Sequence, residues 1–141
     1  MEKIWRAIQI CIAAIGGACA YFWGGMDNLL ITLIIFASVD YLTGVLAAIF
    51  KRKLNSTVGW KGILKKTIMF IVVGVANIID VRLIGTGSGF RTATILFYIA
   101  NEGISILENS ARCGLPVPQR LKGILEQLHD TAETEEKEKR K

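Results

Sequence analysis

The segment LLITLIIFASVDYLTGVLAAIF, Leu29–Phe50, is 22 residues long and carries one formal charge, Asp40, near its middle. A helix needs about 20 mostly apolar residues to cross roughly 30 Å of hydrocarbon, and this run meets that requirement. An ionised carboxylate at mid-bilayer costs about 2.5–3.5 kcal/mol on insertion scales, so such groups face protein or water rather than lipid. Asp40 therefore predicts a partner or an aqueous cavity. At 100° per residue, Thr32, Phe36, Asp40, Thr43 and Ala47 share one broad helix face. Gly44 lies beside Asp40 and leaves room for close approach.

Three further segments resemble spans. Ala7–Trp23 is apolar apart from Gln9, with Lys3 and Arg6 before it and Gly24-Gly25 after it. Ile63–Ile84 has an apolar centre interrupted by Asn77, with Lys65 and Lys66 near its start and Asp80 and Arg82 near its end. Phe90–Leu107 is the most polar, carrying Asn101 and Glu102. Hydrophobic residues make up 52% of the 141-residue chain and fall in blocks rather than at amphipathic intervals. The expected fold is all-α, with about four transmembrane helices in residues 1–118. Lys3, Arg6 and the small residues Ala18-Cys19-Ala20 also fit a cleaved signal peptide. The apolar stretch runs on into Tyr21-Phe22-Trp23, which suits an interfacial aromatic belt better.

The net charge of +5 does not point to nucleic acid, because of where it sits. Residues 51–66 hold Lys51, Arg52, Lys53, Lys61, Lys65 and Lys66 and no acid. Short loops rich in Lys and Arg stay in the cytoplasm. That rule puts both termini inside, with residues 24–28 and 85–89 as outer turns; Arg82 and Arg91 oppose it weakly. The loop is either a topology signal alone or an added attraction to anionic lipid headgroups. Cys11, Cys19 and Cys113 form no disulfide framework, and a single histidine, His129, forms no metal-ligand pattern. Gly85–Gly89 is glycine-rich but lacks the GK[ST] ending of a phosphate loop. No cofactor and no enzymatic constellation is expected.

The fourth segment has a narrow polar stripe: Thr94, Tyr98, Asn101, Ser105, Glu108 and Arg112. Ile95, Ile99, Ala100 and Ile106 form its apolar back. Asn77 and Asp80 lie on one side of the third segment, with Gly74 nearby. These groups either hydrogen-bond between helices of one subunit, at about 0.6 kcal/mol each, or meet other subunits and water in an assembly. Candidate pore or interface residues are thus Asp40, Thr43, Gly44, Asn77, Asp80, Tyr98, Asn101, Glu102, Ser105 and Glu108. A four-helix subunit encloses too little for a large channel, so any sizeable pore requires a homo-oligomer. Ala13, Ala14, Gly16, Gly17, Ala18 and Ala20 offer close-packing surface. After Pro116 and Pro118, Leu121, Ile124, Leu125 and Leu128 recur at helical spacing, giving an amphipathic cytoplasmic helix over 119–130. Residues 131–141 are mixed in charge without an apolar stripe and read as a disordered tail.

At Asp40-Tyr41-Leu42-Thr43-Gly44 the chain resembles the bacteriophage lysis holins of the family that also includes clostridial toxin-secretion holins. The resemblance takes in Asn55-Ser56, Gly59, Gly62–Lys66, Asn101–Asn109 and Gly114-Leu-Pro-Val-Pro118, and covers most of residues 29–130. It implies a small inner-membrane protein that assembles into lesions at a set time. Those lesions release a cytoplasmic endolysin, a functional pairing without direct contact, or a toxin. It carries over no catalytic residues. Two other readings stand beside it. A small proton-coupled four-helix transporter would use Asp40 or Glu102, and a non-pore adaptor would recruit a partner through its C-terminal helix.

Overall fold

The structure is a computed structural model and describes residues 1–139. Five α-helices follow one another: α1 Glu2–Trp23, α2 Asn28–Phe50, α3 Ser56–Ile79, α4 Gly89–Arg112 and α5 Gln119–Lys139. A π-helical turn, Asp80–Ile84, continues α3. Three stretches are long and apolar enough to cross a membrane: Glu2–Trp23, Asn28–Phe50 and Gly59–Ile84. The segment expected as a fourth span, inside α4, is not among them. Its own charges lower its hydropathy, and its central position in the bundle explains how it carries them.

The core joins α2, α3 and α4. Leu30, Leu33 and Ala37 of α2 meet Met69 and Val73 of α3 and Ile95 and Ile99 of α4. Intervals of three and four residues put each set on one helix face. The apolar back of α4 therefore packs inward. The lipid-like surface is supplied by α2 and α3, through Ile31, Ile35, Val39, Leu42, Ile68, Ile71 and Val75, all exposed. An apolar exterior of this extent fits hydrocarbon as solvent.

Helix α1 is held only at its end. Residues 1–18 are exposed on every side. The attachment is local: Trp23 Nε1 donates to the Phe70 carbonyl at 3.0 Å, and Asn77 Nδ2 donates to the carbonyls of Tyr21 and Phe22 at 3.2 and 3.1 Å. Gly74 makes room for the Phe22 ring, which stands where a Cβ would be.

Helix α5 folds back antiparallel along α4. Leu125 rests on Gly103 beside Phe36, and the His129 ring lies 4.6 Å from that of Phe97. The helix continues to Lys139, so residues 131–139 are helical where a disordered tail is expected from composition; 140 and 141 lie outside the described residues. Glu133 has Lys137 at 3.3 Å and His129 at 3.7 Å, each four residues away, and such pairs support an exposed helix where no apolar stripe does.

Gly103 sets the docking of α5. A Cβ there would lie 2.9 Å from Leu125 Cδ1 and 3.2 Å from Phe36 Cε1. Gly103→Val should cost about 1–3 kcal/mol of that contact. Trypsin cleavage after Arg120 and Lys122 in detergent should then accelerate about tenfold or more. An unchanged cleavage rate would show that this contact does not hold α5.

Candidate functional site

Two polar clusters hold the bundle, one at each end of the shared core. The first centres on Lys66. Although charged, it sits nearly three turns inside α3, where its side chain is 17% exposed. Its Nζ donates to Asp40 Oδ2 of α2 at 2.8 Å and to Glu102 Oε2 of α4. The Asn109 amide donates to the other Asp40 oxygen at 3.1 Å and to Thr43 Oγ1 at 3.2 Å. Thr43 donates in turn to the Asp40 carbonyl at 3.1 Å. One ammonium thus joins two carboxylates from two other helices. Buried ions are tolerated when paired and further hydrogen-bonded.

The second cluster centres on Arg91, at the start of α4 and 3% exposed. Its guanidinium donates to both Asp27 oxygens at 2.6 and 3.1 Å, to the Trp23 carbonyl at 2.5 Å and to the Gly25 carbonyl at 3.1 Å. Asp27 also caps α2 by accepting the Leu30 N–H at 2.9 Å. Asp80, 1% exposed, accepts the N–H groups of Phe90 and Arg91 at 3.1 and 2.8 Å. A carboxylate there satisfies otherwise orphaned donors and faces the positive end of the helix dipole. Gly24 closes this cluster. Its φ is +76°, and a Cβ would fall 2.2 Å from Asn77 Oδ1 and 2.8 Å from Arg91 Nε. The Arg91 hydrogen bond, more than anything else, holds the Asp27 carboxyl below its ordinary value of 3.8.

Between α2, α3 and α4 lies a cavity of about 1110 Å³. The Lys66 cluster lines it with Tyr98, Asn101 and Ser105, and so do the exposed cations Lys51, Lys53, Lys61, Lys65 and Arg112. Of the candidate residues, the structure brings Asp40, Gly44, Tyr98, Asn101, Glu102 and Ser105 to this cavity, and the lysines expected as a topology signal with them. Thr43 backs it without lining it. Asn77 and Asp80 belong to the opposite cluster, where they bond within the subunit, and Glu108 is exposed outside both. Residues missed as site members are Lys66 as an ion-pair centre, Asn109, Arg91 and its partner Asp27. The apolar flanks of Lys66 mark its depth, and Arg91 stands out as a cation at an otherwise lightly charged end.

An all-helical protein with three membrane-length apolar helices and charges paired inside the bundle is an integral membrane protein of small size. The chain matches the bacteriophage holin family over residues 17–130, and it belongs to that family. Relatives include an uncharacterized 14.9 kDa protein of Clostridium perfringens, 44% identical over 92% of this chain and 98% of its own. An uncharacterized protein of Listeria monocytogenes is 41% identical over 94% and 93%. A protein of Bacillus phage phi105 named "Probable holin" is 41% identical over 72% and 73%. No solved structure matches. The family is one of non-enzymatic membrane proteins, as the residues lead one to expect.

The charge balance at Lys66 sets a ranking of variants. Lys66→Met strands two buried carboxylates and should destabilise the bundle by about 3–5 kcal/mol. Asp40→Leu leaves a one-to-one Lys66–Glu102 pair and should cost less. Replacing all three by apolar residues (Asp40→Leu, Lys66→Met, Glu102→Leu) should recover most of the loss. Unfolding in mixed micelles measures this order, and a Lys66→Met variant as stable as wild type would refute the ion-pair account.

Asp27 supplies a pH dependence. Its folded pKa is depressed, so its contribution is fully present above the ordinary value and is lost as pH falls through the lower folded one. The loss should therefore appear below 3.8. It should be small, because the side chain is 47% exposed. The difference in unfolding between wild type and Asp27→Asn, followed from pH ~5 to ~2, should shrink towards the acid end. A constant difference across that range would contradict the pairing.

Proposed function

We propose that the chain is a phage-type holin that oligomerises in the bacterial inner membrane and opens lesions through which an endolysin or a toxin leaves the cytoplasm. Family membership over residues 17–130 is the observation that carries the reading. Helix α1 adds support. Residues 1–18 have no intramolecular cover, so that surface is available to lipid and to neighbouring copies.

In this reading α4 is a fourth span. Its Arg91 and Glu102 are paired with other helices, which removes the main cost of placing them at depth. Residues 51–66 and the N-terminus lie in the cytoplasm, residues 24–28 and 85–89 lie outside, and the C-terminus is cytoplasmic when α5 leaves α4. With α4 in the bilayer, the charged outer face of α5, which includes Arg120, Glu126 and Asp130, requires water or protein beside it. Either that face meets other subunits or α5 leaves α4 for the membrane surface when copies assemble.

Induced in bacteria together with an endolysin lacking its own export signal, the protein should stop respiration abruptly after a delay and lyse the culture. Asp40→Leu should shift the onset strongly and Asp40→Asn less, at matched membrane levels. Uninterrupted growth with verified membrane accumulation would overturn the reading. In liposomes a holin should release dyes with little selectivity, whereas substrate-coupled proton flux with dyes retained would point to a transporter.

A further inference from the structure

The cavity between α2, α3 and α4 has an unbalanced charge pattern. At its floor, one lysine already serves two carboxylates. At its mouth, Lys51, Lys53, Lys61, Lys65 and Arg112 form no ion pair with any carboxylate among the described residues. Five cations converge on one opening without a counter-charge. Further in, the side chains of Asn101 and Ser105 line the wall and make no hydrogen bond among the described residues. A volume of about 1110 Å³ is far more than these side chains need for themselves.

We propose that this cavity binds the headgroup of an anionic glycerophospholipid. The cations would take the phosphodiester, and Asn101 and Ser105 would take glycerol or ester oxygens. The position of the mouth selects a lipid over a soluble anion. It is marked by Lys51 and Lys53 just past the end of α2, about 16 Å along that helix from Asp40 at 1.5 Å per residue, with Lys61 and Lys65 on the first three turns of α3 and Arg112 at the end of α4. Phe50, Leu54 and Trp60 stand exposed beside it, at 62%, 49% and 62%. Aromatic and apolar side chains interleaved with lysines mark headgroup depth. Tyr41 packs on Gly59 and Gly62 at the first turns of α3, which keeps that wall low: a Cβ on Gly62 would come 3.2 Å from the ring. The inference rests on the four-span arrangement, which brings all three helix ends to one membrane surface.

The test uses the full chain in detergent micelles, titrated with phosphatidylglycerol, cardiolipin or phosphatidylcholine and read by native mass spectrometry. Wild type should retain the two anionic lipids at least about tenfold more tightly than phosphatidylcholine. The exposed triple variant Lys61→Gln, Lys65→Gln, Arg112→Gln should bring that ratio to within about twofold. A control removing the same charge elsewhere (Lys3→Gln, Arg6→Gln, Arg120→Gln) should keep it. Equal loss in both variants, or no anionic preference in wild type, overturns the proposal. Inorganic phosphate that displaces the lipid at millimolar concentration, while binding wild type but not the triple variant, assigns the cavity to a soluble anion and also overturns it. The spans are checked separately, by impermeant thiol labelling of cysteines placed at Ser56 and Ser88 in a variant lacking native cysteines. In intact spheroplasts only position 88 should react. Labelling at 56 refutes the arrangement itself, whereas correct labelling with no lipid preference refutes this site alone.

Discussion

Lys66 reaches two helices at once, and the arrangement of the bundle follows from that reach. Asp40 and Glu102 come from α2 and α4, which run side by side in the same direction, and burying either carboxylate without a partner is costly. Placing the ammonium between them fixes the height of α3 against both neighbours. Asn109 then takes the second Asp40 oxygen, so the floor of the cavity is determined by hydrogen bonds rather than by packing alone. Between apolar surfaces already in lipid, there is little hydrophobic force to choose one register over another. Directional polar contacts supply the choice.

The Arg91 cluster does the same at the far end, and the two differ in kind. Arg91 grips backbone carbonyls as well as a carboxylate, so it fastens a turn, Trp23 to Asp27, in addition to a helix. Asp80 sits on the π-helical turn that ends the α3 segment. The extra residue of such a turn re-aims a side chain, here towards the first N–H groups of α4. The core of Leu30, Leu33, Val73, Ile95 and Ile99 lies between these two polar ends.

The demand for a partner to Asp40 is legible from the sequence, because a carboxylate in an apolar run has few physical options. Its partner is less so. Lys66 lies 26 residues away beside Lys65, in a cluster that also reads as a loop charge, and only the folding of α3 separates the buried lysine from the exposed one. Of the face of Thr32, Phe36, Asp40, Thr43 and Ala47, the middle three turn towards α4, Ala47 is buried, and Thr32 bonds back to its own helix. Asn77 and Asp80 are recognisable as polar groups needing satisfaction, but their acceptors and donors are backbone groups of distant turns, which no residue pattern announces. Membrane length is legible for three helices. For α4 the polar stripe is legible, but its depth depends on which of its charges find partners.

The Arg91 cluster has a consequence for biogenesis. In the proposed orientation, Arg91 ends on the outer side of the membrane and has to be carried across an apolar barrier. A lone arginine costs about 2.5–3.5 kcal/mol at mid-membrane. By the time the ribosome has released α4, the turn bearing Asp27 and the segment bearing Asp80 have already been synthesised, in that order. The acceptors for the guanidinium (Trp23, Gly25 and Asp27) and for the backbone N–H of Arg91 (Asp80) thus precede it along the chain. Insertion of α1, α2 and α3 lays down the receptor into which the last span docks, and a circular permutation that placed α4 first would send Arg91 across with nothing to meet it.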